Sequence, residues 1–128
     1  FGTRKWVIFI GSCGMLLASF ATILLIDTSV FWVIVLMCAI GLFGSTYPAI
    51  MAHGRSFLPP HLVGRGVTML NLCSIGGVGV AQFLSGRVYA ASQPAVTAQA
   101  PYVLIFSLFA ALMAAGLFVY LFSRDAGE

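Results

Sequence analysis

The chain has 128 residues, of which 61% are hydrophobic and 7% charged, and its formal net charge is +3. A soluble domain carries about 25% charged residues to keep its surface wetted. Six basic and three acidic side chains cannot do that here, so the composition excludes a water-soluble domain and calls for a lipid bilayer as solvent.

The charges fall at Arg4, Lys5, Asp27, Arg55, Arg65, Arg87, Arg124, Asp125 and Glu128. Lys5 and Asp27 enclose 21 charge-free residues, and so do Arg65 and Arg87. As a helix each run covers about 30 Å, the thickness of the hydrocarbon core. Barrel strands would alternate in short segments, and these runs do not. The pattern predicts an all-α membrane protein with four transmembrane helices at 6–26, 31–52, 63–88 and 102–122, and no soluble domain. The connections are Asp27-Thr28-Ser29, then 53–61 with Pro59-Pro60, then 89–101 with Pro94 and Pro101. Proline has no N–H and disfavours helix in the residue before it, so Pro59-Pro60 marks a firm boundary.

The first span carries Gly14, Ala18 and Thr22 at spacing four, with Gly11 nearby. Lipid gives no hydrophobic drive for helix association, so such small residues predict close packing seams. In the second span Gly41 and Gly44 precede Ser45-Thr46-Tyr47-Pro48. Pro48 frees a carbonyl one turn earlier and predicts a kink. Kinked and broken helices line many transporter sites, which makes Ser45 and Tyr47 candidates for a substrate pathway; a packing tyrosine is the plainer reading.

The third span is the most polar. Thr68, Asn71, Ser74, Gln82 and Ser85 fall within one arc of about 120°. Asn71 and Gln82 are costly in lipid unless paired or wetted. Two readings stay open for this pair: a substrate pathway, or interhelical hydrogen bonds that hold the bundle together. Ser74 joins the pathway candidates, although hydroxyls in a helix can bond their own backbone. Cys73, Gly77, Ala81 and Ser85 form a second stripe at spacing four, and the fourth span has Ser107, Ala111 and Ala115. Gly76-Gly77-Val78-Gly79 lacks the lysine and the preceding strand of a phosphate loop.

Basic residues set the orientation. Arg4, Lys5, Arg55, Arg65 and Arg124 lie on one side of the four spans and Arg87 on the other, which predicts both termini and the middle loop in the cytoplasm. Sitting at membrane edges, these charges call for no nucleic-acid partner. Cys13, Cys38 and Cys73 all fall inside spans and are expected to be buried small residues rather than disulfide or metal ligands. His53, beside Arg55, is expected to be solvated at the interface. No Asp, Glu or Lys lies deep in a span, and no nucleophile–base set is visible. The sequence therefore points to no catalytic residue, no metal, no cofactor and no enzyme.

The chain starts Phe1-Gly2-Thr3-Arg4-Lys5 directly before a span. Gly2, Arg4 and Lys5 resemble the tail of the Asp-Arg-x-Gly-x-Arg-Lys loop signature of the major facilitator superfamily. Gly64-Arg65-Gly66 is similar to that family's Arg-Gly-x-Ala loop between the tenth and eleventh helices, with Val67 departing from it. The order of short outer loop, long helix to Pro59-Pro60, glycine-rich third helix and short charged tail also resembles the last four of the family's twelve helices, over essentially the whole chain. The resemblance implies the C-terminal piece of a secondary transporter, working by alternating access in a plasma membrane, the bacterial inner membrane above all. It implies that the second and third spans face the cavity while the first and fourth brace them. Gly2, Arg4 and Lys5 would belong to a cytoplasmic gating loop. The implied partners are the lipid bilayer, the remaining helices of the parent transporter and a small-molecule substrate. Two other readings remain: a complete four-helix multidrug-type transporter, whose membrane-embedded glutamate the first span lacks, and a non-transporting tetraspan assembly subunit.

Overall fold

The computed structural model describes residues 4–94 and 97–123, and every regular element among them is helical. In chain order these are α1 (Arg4–Leu25), α2 (Val30–Gly44), α3 (Tyr47–Ser56), a 3-10 turn (Pro60–Leu62), α4 (Val63–Ala91) and α5 (Ala100–Leu121). α2 and α3 together make one span. Four stretches, Lys5–Leu25, Val30–Ser56, Pro60–Ala91 and Ala100–Leu121, are long and apolar enough to cross a membrane. The protein is an all-helical membrane protein.

Local chemistry sets the ends. The Ser29 hydroxyl accepts the Phe31 N–H and caps α2, so the first hairpin closes over only 26–29. Pro60 opens the 3-10 turn and Pro101 sits in the first turn of α5, places where a missing N–H leaves no helical bond unmade. At about 43 Å for 29 residues, α4 exceeds the hydrocarbon core, so it crosses with tilt or overhang.

α1 lies at the centre. It packs against α2, α5 and α3, while α4 packs against α5 and α3. Ile8, Ala18, Ser19 and Thr22 of α1 are buried, and so is Ala110 of α5. Glycines bring α1 and its hairpin partner together: a methyl added at Gly14 would stand 2.5 Å from the Phe43 ring, and one at Gly11 would overlap the Thr46 side chain. Ser19 and Thr22 can be buried because each hydroxyl donates to the carbonyl one turn back, of Met15 and Ala18. The predicted seam of the first span is thus used.

The other stripes are not. Gly77 and Cys73 on α4, and Ser107, Ala111 and Ala115 on α5, are exposed. A β-carbon added at Gly41, Gly76, Gly77, Gly79 or Gly116 would meet nothing within 4 Å. Nor are the cysteines buried: Cys38 and Cys73 are exposed and Cys13 is half-buried, all as free thiols. The burial centres on the seam of the central helix, and the stripes on the outer helices face outward.

Lys5 shows how the ends meet. Its ammonium donates to the carbonyls of Leu121, at 3.1 Å, and Ser123, satisfying the end of α5 and its dipole. The start of the first span and the end of the last therefore share one side of the bundle. Trp6, Trp32, Tyr89, Tyr102 and Tyr120 all lie within two turns of a span's end, the depth that amphipathic rings prefer. Tyr47 is the exception.

Candidate functional site

The second span is interrupted where Pro48 predicts a kink. α2 ends at Gly44 and α3 begins at Tyr47 with Pro48 in its first turn. Ser45 and Thr46 between them turn tightly, each N–H reaching back three residues, to Leu42 and Phe43. Their hydroxyls donate to the same two carbonyls. Pro48 has no N–H to offer the Gly44 carbonyl, so polar backbone is laid open here, inside a span.

Tyr47 lies about 13 Å along the helix from Ser56, and Asn71 about 12 Å along α4 from Val63. Both helices start that count at the same loop, so the two side chains reach a similar depth. The Tyr47 hydroxyl donates to Asn71 Oδ1 at 3.5 Å, a long bond at the limit of useful geometry. Two of the five pathway candidates thus meet across the α3–α4 contact. Ser45 and Ser74 stand close by in sequence, but both donate to their own backbone, at Leu42 and Leu70. Gln82 lies about 16 Å further along α4 than Asn71, on the same face, and its side chain is exposed with no hydrogen bond among the described residues.

α4 meets α3 through Leu70 against Gly54 and meets the loop through Gly66 against Leu58. The polar arc begins beside that packed edge, and Asn71 and Gln82 carry it onto the open side of the helix, where both are exposed. The hydroxyls of Thr68 and Ser85 bond Gly64 and Gln82 carbonyls and hold nothing across helices.

A cavity of about 400 Å³ opens on the other side of Tyr47. Its walls come from α1 (Ile8, Ser12, Met15), from the α2–α3 break and from α5 (Met113, Leu117). The first and fourth spans thus line a cavity, although the sequence points to them only as braces. Ser12 is missed by sequence reasoning, because one serine in an apolar span has no pattern to mark it.

His53 departs from expectation. It is 4% exposed, not solvated. Its Nδ1 lies 2.9 Å from the Tyr120 hydroxyl, and its ring stands edge-on to Phe57 and Tyr120. The pair ties α3 to α5 at the same end where Lys5 holds α5. Lys5 itself is part of α1 rather than of a loop. Gly2 and the side chain of Arg4 lie outside the described residues, as does the charged tail from Arg124. Among the described residues no cluster of His, Cys, Asp or Glu could hold a metal ion.

Comparison with protein families, curated proteins and solved structures finds no match to this chain.

Proposed function

We propose that this chain is part of a secondary active transporter that moves a small solute by alternating access, with its second and third spans facing the path. The observation that carries the reading is the interrupted second span: within the span it presents Tyr47 to Asn71 beside laid-open backbone. Irregular backbone inside a bilayer is tolerated where it lines a cavity or is buried in protein, and transporter sites use it in that way. The outward Gln82 fits a polar path, and the open glycine face of α4 fits a helix that further helices cover. The resemblance to the last four helices of the major facilitator superfamily supports the same reading, with both ends in the cytoplasm of a bacterial inner membrane. On this reading α1 and α5 brace the inner spans, and Lys5 and His53 close the cytoplasmic end.

Uptake by the full-length protein tests it. Asn71→Ala is expected to lower uptake about tenfold at normal membrane levels, the effect of removing one hydrogen-bonding group from an apolar site, with Gln82→Ala lowering it less. Uptake unchanged in both variants would make these side chains structural and remove the reading.

A further inference from the structure

We infer that the cavity between α1, the α2–α3 break and α5 binds an uncharged, mostly apolar solute through one hydrogen-bonding group, held by Ser12. The inference goes beyond the transport reading and does not depend on it.

Ser12 is the key. Each of the other serine and threonine hydroxyls inside the described helices (Ser19, Thr22, Ser56, Thr68, Ser74, Ser85 and Ser107) donates to a carbonyl three or four residues back in its own helix. Ser12 makes no hydrogen bond among the described residues, and it lines the cavity. A hydroxyl left unpaired in an apolar span is unfavourable, and a ligand group can satisfy it. Ser12 lies about 12 Å along α1 from Arg4, the depth of Tyr47 and Asn71. Of the other cavity hydroxyls, Thr46 donates to Phe43 and Tyr120 bonds His53, while Tyr47 has only its long bond to Asn71.

The rest of the wall decides the class of ligand. Ile8, Met15, Ile50, Met113 and Leu117 make it apolar, and no acidic or basic side chain lines it. An ion would lose its hydration with no counter-charge to replace it. A sugar would leave most of its hydroxyls unpaired. A volume of about 400 Å³ suits a small organic molecule, and an acyl chain would bring nothing for Ser12 to bond.

Photolabelling of the full-length protein in phosphatidylcholine nanodiscs tests this. The probe is 4-(hydroxymethyl)benzophenone, uncharged, with one hydroxyl and a photochemical preference for methionine. Met15 and Met113 line the cavity, whereas Met37 and Met69 face outward. Labelling of the cavity pair is expected to saturate and to be blocked by excess diphenylmethanol, while the outer pair labels linearly. Gly116 lines the cavity, and a β-carbon added there meets nothing within 4 Å, so the first atom of Gly116→Leu has room and the rest of the side chain takes up cavity space. It is expected to cut labelling at Met15 and Met113 about tenfold or more, and Ser12→Ala to raise the half-saturating concentration about fivefold, one neutral hydrogen bond. Several results would overturn the proposal. They are linear labelling at all four methionines, labelling that both variants leave intact, equal saturable labelling by the anion 4-benzoylbenzoate, and labelling blocked by added phospholipid but not by diphenylmethanol.

Discussion

Gly14→Leu is expected to force the first two helices apart and to lower the unfolding free energy by about 2–3 kcal/mol, the upper range for overpacking a tight contact. A first methyl at Gly14 already stands 2.5 Å from the Phe43 ring. Phe43 also stands next to the break, and its carbonyl receives the Thr46 hydroxyl and N–H that shape it. One turn away Gly11 faces Thr46 itself, so the seam of α1 and the geometry of the break are one structure. The substitution is therefore expected to disturb Tyr47 as well as stability. Unfolding of the full-length protein in detergent, titrated with dodecyl sulfate, measures the first effect. An unchanged midpoint would show that α1 and α2 do not approach through these glycines.

Gly77→Leu separates a complete four-helix protein from a piece of a larger bundle. In the four helices alone its side chain enters open space. There the substitution should be neutral or stabilising, since glycine within a helix is about 1 kcal/mol worse than alanine. On the proposed reading, further helices lie against this face of α4 and Gly77 is a close contact. Gly77→Leu should then cost about 1–3 kcal/mol in the full-length protein, read by the same titration. A neutral result would argue that nothing covers α4 and that the four helices are complete.

The number and place of the spans are legible in the sequence because the bilayer imposes length and excludes charge. Charge gaps together with Pro59-Pro60 and Pro101 bring each helix boundary within a few residues. Pro48 marks the broken span for the same reason: a missing N–H acts wherever it stands. The seam of α1 is legible as small residues at spacing four, but the like stripes on α4 and α5 are not distinguishable from it. Spacing shows that a face can pack, not what packs on it. His53 illustrates a second limit. Next to Arg55 it reads as an interface residue, yet Tyr120, 67 positions away, supplies its hydrogen bond and buries it. Ser12 illustrates a third, since what sets it apart is a hydrogen bond it does not make.

Thiol accessibility tests most directly whether the polar face of α4 lines a watery path. In the full-length protein with Cys13 and Cys38 replaced, Asn71→Cys and Gln82→Cys would each be made with Cys73 removed and treated with a membrane-impermeant maleimide. Native Cys73 alone, roughly 200° around α4 from Asn71, is the comparison. Both introduced thiols are expected to react and Cys73 to stay unmodified. Protection of positions 71 and 82, or equal reaction at Cys73, would contradict a solute path along this face.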